Sequence, residues 1–121
     1  TENELDVVGL VTPDAVTSTV TGTGVDISEY QGKLKVCQHV KQGGGTDPTL
    51  DGKIQDSADD STYADVTGAT FTQVTDAADS LQSLGLDTRN CKKYIRYVGP
   101  ITGTNPTFDL GVSFIGQKQT L

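Results

Sequence analysis

The sequence predicts an all-β fold, a single-domain β-sandwich or jelly roll of about eight or nine antiparallel strands. Three observations predict it. Apolar and polar residues alternate at period two over most of the chain, β-branched residues are abundant, and Gly, Pro, Asp, Ser and Thr turn signals interrupt the pattern at short intervals. Supply agrees: 121 residues, 34% hydrophobic, with no Trp and no Met, suit one thin core to which each strand contributes a single face.

The elements follow in order. Val7 to Thr12 and Val16 to Val20 read as the first strands, broken at Pro13 and ended by the Gly22-Thr23-Gly24 turn. Val25 to Ile27 leads into a turn at Tyr30, Gln31 and Gly32. Leu34, Val36, Gln38 and Val40 alternate with Lys35, Cys37 and His39, so Lys33 to Lys41 reads as a half-buried strand. Gly43 to Pro48 has the composition of a flexible loop. Leu50, Gly52 and Ile54 share a face of the next strand, and Ser57 to Ser61 supplies a turn. Tyr63 to Val66 and Ala69 to Val74 follow, separated at Thr67 and Gly68. Asp76 to Leu81 fits either a helical turn or a loop. Leu81, Leu84 and Leu86 lead to a turn at Asp87, and Cys91 to Val98 forms a strand ended by Gly99 and Pro100. Thr102 to Thr107 reads as a loop before the last strand, in which Phe108, Leu110, Val112 and Phe114 point one way. No linker divides the chain, and no fixed-period repeat emerges. Residues 1–14 are expected to form an N-terminal arm or edge strand, and residues 15–121 the sandwich domain.

The net charge of −7 and pI near 4.4 argue against direct binding of nucleic acid, whose affinity comes from Lys and Arg displacing counterions. The charge is segregated. Residues 1–32 carry Glu2, Glu4, Asp6, Asp14, Asp26 and Glu29 with no Lys or Arg, whereas residues 88–121 carry Arg89, Lys92, Lys93, Arg96 and Lys118 against Asp109 alone. Either the two ends pair within the fold, or the acidic arm of one subunit meets the basic strand of a neighbour. No apolar run approaches the roughly 18 residues of a membrane span, and no segment resembles a signal peptide. Thr1 is a small residue of the kind exposed by removal of an initiator Met, so synthesis in the cytoplasm is expected.

The chemistry-bearing residues are few. His39 is the sole histidine; it lies two residues from Cys37 on one strand face, yet nothing completes a nucleophile, base and orienting group. Cys37 and Cys91 have no zinc spacing and read as buried free thiols or as a disulfide between two strands. Asp56, Asp59 and Asp60 place carboxylates close together, as a hard cation requires, but without the alternation, central Gly and terminal Glu of a calcium loop. An ordinary turn is the better reading. Gly43 to Gly45 has no following Lys and Ser or Thr to make a phosphate cradle. Tyr94 and Arg96 share a strand face with Tyr97 on the other, which does not make a continuous stacking platform. No catalytic, cofactor-binding or metal-ligating residues are assigned, and no cofactor.

The order of several short pieces is more specific. Gln55 to Asp60, Thr62 to Val66, the Asp87-Thr88-Arg89 turn, Tyr94 to Arg96 and the closing Gly116-Gln117-Lys118 resemble the "QDSDDG", "TFTDV", "DTR", "RYIR" and "GQK" pieces of small β-sandwich virion structural proteins of tailed bacteriophages, the capsid decoration or cement proteins. The resemblance spans about residues 25–118. Ser61 stands where a turn Gly is common, and Gly52 where a β-branched core residue is expected.

The resemblance implies a non-enzymatic phage virion protein that binds the outer surface of the major capsid protein lattice and stabilises the head. The implied partner is the major capsid protein. Assembly as a homo-oligomer, such as a trimer, is also implied, with no direct nucleic acid or membrane contact and a location on the capsid exterior. Alternatives are a head-to-tail connector or tail protein, or a glycan-binding or adhesive module. The absence of Trp and the small number of Phe and Tyr disfavour the last.

Overall fold

A computed structural model describes the backbone of residues 2–120 and the side chains of residues 7–11 and 13–117. The fold is an antiparallel β-sandwich. Its strands are β1 (Glu2–Val16), β2 (Val20–Thr21), β3 (Val25–Asp26), β4 (Tyr30–Val40), β5 (Gly44–Leu50), β6 (Lys53–Ser57), β7 (Ala64–Thr70), β8 (Ser80–Asp87), β9 (Tyr94–Gly99) and β10 (Ile101–Thr120). A 3-10 turn, Thr88–Asn90, joins β8 to β9. The front sheet has the order β1-β10-β4-β8, with β5 also on β10. The back sheet has the order β2-β9-β6-β7, with β3 also on β9.

The alternation read in the sequence sets the two faces. Leu34, Val36, Gln38 and Val40 of β4 and Phe108, Leu110, Val112 and Phe114 of β10 turn inward and are buried. Opposite them lie Ile54 of β6 and Ile95 and Tyr97 of β9, all fully buried and part of the same cluster. Each such apolar side chain contributes roughly 1.5–3 kcal/mol by leaving water. Tyr30 meets Phe114 edge to face at 5.3 Å.

Several elements differ from expectation. Pro13 does not break the first strand. β1 runs through it, and the missing N–H is absorbed where the register with β10 shifts between Val11 and Asp14. The strand expected from Leu50 is divided: β5 ends at Leu50 and β6 begins at Lys53. Gly52 between them is obligatory, because a Cβ there would collide with the Gln38 amide and the Tyr97 ring. The expected pair Tyr63–Val66 and Ala69–Val74 is replaced by one strand, β7, which ends at Thr70 and leaves Val74 in an isolated bridge to Leu50; in it Asp65 to Thr70 spans only Gln55 to Lys53 of β6, a bulge centred near Gly68 at φ 79°. Asp76 to Ala78 forms bends and no helix, and Ser80 and Leu81 already belong to β8. β9 starts at Tyr94, not Cys91, because the turn after β8 extends to Asn90. The described residues hold ten strands, the two-residue β2 and β3 carrying the number past eight or nine.

The largest difference concerns the two expected loops. Gly43 to Pro48 and Thr102 to Thr107 pair with each other, β5 against the first part of β10: Leu50 opposite Ile101, Thr49 opposite Thr102, Thr46 opposite Thr104 and Gly44 opposite Thr107. The ribbon carries the chain between sheets twice, from β4 to β6 and from β9 into β10, as strands do at the corner of a sandwich. Its two arms differ only in Asp47 against Asn105: Gly45-Thr46-Asp47-Pro48-Thr49 and Gly103-Thr104-Asn105-Pro106-Thr107. They also share one backbone: Gly45 and Gly103 have φ of 104° and 120°, Asp47 and Asn105 of 49° and 50°. The arms are related by a local two-fold near the Thr46–Thr104 pair. Gly45 approaches the Thr104 and Asn105 carbonyls, and Gly103 those of Thr46 and Asp47.

Candidate functional site

The outer face of the front sheet is the most distinctive surface. Register sets its rows: Val7, Ile115, Lys35 and Gly85; then Gly9, Ser113, Cys37 and Ser83; then Gly111, His39 and Leu81. Gly9, Ser113 and Gly111 leave the face without large side chains, and beside His39 and Leu81 it sinks into an open trough of about 980 Å³. Pro13 closes one side by lying against Gly111, where an added Cβ would approach the Pro13 ring at 3.0 Å. Asp14, Asp79, Asp109 and Lys41 carry the charge around it. Leu81 and Val7 are the large apolar side chains left exposed, at 70% and 67%.

This surface offers area for contact. His39 is exposed and Cys37 half-buried on the same face, and the register neighbours of His39 are Gly111 and Leu81, neither of which can orient a base. The two cysteines are free thiols, which removes the disulfide alternative. Cys91 is pushed up to about 11, first by burial and then by the Asp56 and Asp87 carboxylates.

The acidic cluster resolves into three separate roles. Asp56 is buried and accepts the Lys92 N–H at 3.1 Å. Asp59 accepts the Ser61 and Thr62 N–H groups at 3.0 Å and the Ser57 hydroxyl at 2.9 Å. These donors hold its carboxyl below the usual range, the Thr62 N–H foremost. Asp60 accepts from the Tyr63 hydroxyl. No group of three metal-ligating side chains occurs among the described residues.

The back sheet presents a polar network. Arg96 donates to Gln55 Oε1 through Nε at 3.0 Å and a terminal nitrogen at 2.8 Å. Its guanidinium lies 4.0 Å from the centre of the Tyr63 ring. Gln55 and Lys53 both donate to Asp65. Arg96 and Tyr94 are half-buried on this outer face and Tyr97 is buried on the inner one, as alternation requires. The segregated charges meet in part within the fold, Lys93 lying 3.8 Å from Asp26; the backbone of β1 runs beside the end of β10, position 4 opposite position 118. The side chains of Glu2, Glu4, Asp6 and Lys118, and Thr1 as a whole, lie outside the described residues.

Sequence reasoning missed both the corner ribbon and the trough. The doubled Gly-Thr-Asp/Asn-Pro-Thr motif was a readable signal for the ribbon. The trough had none, since Gly9, Gly111, His39 and Leu81 come together only once four strands are in register.

No family model and no curated protein matches the chain. Solved structures do. A chain in the structure of infectious bursal disease virus Gx strain superposes with a TM-score of 0.65 at 14% identity, over 98% of this chain and 32% of that one. The infectious bursal disease virus VP2 subviral particle gives 0.62 at 14% identity, over 97% and 33%. The SPBc2 prophage-derived protein YomS gives 0.56 at 10% identity, over 98% of this chain and 96% of that one. The chain thus spans about a third of the bursal disease virus chains and nearly the whole of the prophage protein. At these identities the likeness is one of fold, and the fold is one found in a virus particle protein and in a prophage-derived protein. The decoration role implied by the sequence pieces has no counterpart among these three structures.

Proposed function

We propose that the chain is a non-enzymatic structural component of a bacteriophage particle, most specifically a decoration protein on the outer surface of the major capsid protein lattice. The observation that carries this reading is the full-length fold likeness, 98% of the chain, to both a virus particle chain and a prophage-derived protein. The surfaces are in keeping with it. The two sheets offer a rigid platform, the trough and the exposed Val7 offer apolar contact, and an excess of carboxylates keeps particles mutually repelling. Residues 1–14, the outermost strand of the front sheet and its acidic lead, are the proposed contact arm, and residues 15–121 the body. A decoration protein stabilises a shell because it binds only the assembled state and shifts the equilibrium towards it.

Electron cryomicroscopy of particles with and without the protein tests this. Density for the sandwich on the outer lattice is expected, together with earlier thermal rupture of the depleted particles. Density confined to a single ring at the neck or tail would instead identify a connector or tail component.

A further inference from the structure

We propose that two copies of the chain associate through β8, pairing antiparallel about a two-fold axis at Ser83. β8 is an outermost strand of the front sheet and joins only β4. Its eight consecutive pairs, Lys33 with Asp87 through Val40 with Ser80, contain no register shift. Sheet edges are ordinarily blunted by charge, Pro, a bulge or shortness. The other edges follow that rule: β1 contains Pro13 and two register shifts, β7 is bulged, and β2 and β3 are two residues long. Ser80 to Leu86, Ser-Leu-Gln-Ser-Leu-Gly-Leu, has none of these protections. Among the described residues, none of the backbone–backbone hydrogen bonds formed outside the strand ladders involves this segment.

Shape identifies a second copy as the occupant. Two chains of charge −7 repel, and the uncharged Ser80 to Leu86 segment adds nothing to that repulsion. Leu81 is 70% exposed on the outer face. Gly85 lies on the same face, and the position a Cβ would take there has nothing within 4 Å. Pairing about Ser83 sets Leu81 of each copy opposite Gly85 of the other, so each protruding side chain covers the other's gap. The same register sets Gln82 opposite Leu84 and Ser80 opposite Leu86, and joins the two front sheets into one. At each end Asp79 of one copy comes beside Asp87 of the other. Arg89, bonded to Asp87 at 3.0 Å with its side chain 84% exposed, supplies the opposing charge.

The pairing stands on the edge strand alone and is independent of the particle role, so a monomeric chain would overturn it without touching that role. Sedimentation velocity over a wide concentration range is expected to show the mass doubling. Ser83→Lys sets two ammonium groups face to face at the axis and is expected to weaken association at least about tenfold. Cysteine crosslinking provides a second readout. Cys37 is replaced by Ser, since it is the register neighbour of Ser83 on β4. In that background Ser83→Cys is expected to give a disulfide-linked dimer on mild oxidation, and Leu81→Cys is not. A monomer at every concentration, a dimer indifferent to Ser83→Lys, or equal crosslinking of the two cysteine variants would overturn the proposal.

Discussion

The Tyr97 hydroxyl of β9 donates a 2.5 Å hydrogen bond to Oε1 of Gln38 in β4, across the centre of the sandwich where both side chains are fully buried. It is a polar tie between two apolar faces, and Gln38 Nε2 has no partner among the described residues. Tyr97→Phe is therefore expected to cost about 1–3 kcal/mol, since it leaves the buried amide wholly unpaired. Adding Gln38→Met removes that amide and is expected to restore part of the loss. Denaturant unfolding of the two single variants and the double variant measures the coupling. Additive losses would show that the bond does not act as a pair.

The corner ribbon makes a prediction through its local symmetry. Gly45 and Gly103 have positive φ and face carbonyls of the opposite arm, so Gly45→Ala and Gly103→Ala each combine backbone strain with a close contact. Each is expected to lower stability by more than about 1 kcal/mol, and by similar amounts. Gly9→Ala is the control, as its added Cβ meets nothing within 4 Å and its φ is not positive. Thermal melting of the three variants decides the matter.

Stability is expected to fall at both pH extremes for identifiable reasons. Asp59 is held low by the Thr62 N–H first, Asp65 by the Gln55 amide first, and Asp87 by the Arg89 guanidinium first. Groups with depressed folded values contribute stability that is present above their unfolded value near 3.8 and is lost as pH falls through the folded value. Tyr63 behaves oppositely. Burial, followed by the Asp60 carboxylate, pushes it up to about 12 from 10.0. Its contribution is present below pH 10 and is lost as pH rises towards 12, so Tyr63→Phe is expected to flatten the alkaline limb of a melting-temperature profile.

The acidic turn is expected to be indifferent to calcium. Asp56, Asp59 and Asp60 each already accept a protein donor, so neither calcium nor a chelator should move the melting midpoint. Asp59→Ala, in contrast, removes three hydrogen bonds from the turn and is expected to lower the melting midpoint, as loss of a cap does.

The strands with clean alternation were legible because burial of one face leaves a period-two record, as in Leu34 to Val40 and Phe108 to Phe114. What misled was composition without context. Gly43 to Pro48 and Thr102 to Thr107 carry every local mark of a loop, yet each supplies the other's backbone partners, a relation spanning 58 residues that local chemistry does not encode. Pro13 reads as a breaker because the tolerance of an edge strand for a bulge is set by its neighbour. Gly52 looked out of place until Tyr97 and Gln38 were seen to occupy the volume a side chain would need. The trough depends on register across four strands and left no trace in any one of them.

The central claim is that the chain is a component of a virus particle shell. Its molar ratio to the major capsid protein in purified particles, obtained by quantitative mass spectrometry, tests this most directly. A copy number comparable to that of the capsid protein is expected. Absence from particles that are otherwise complete would contradict it.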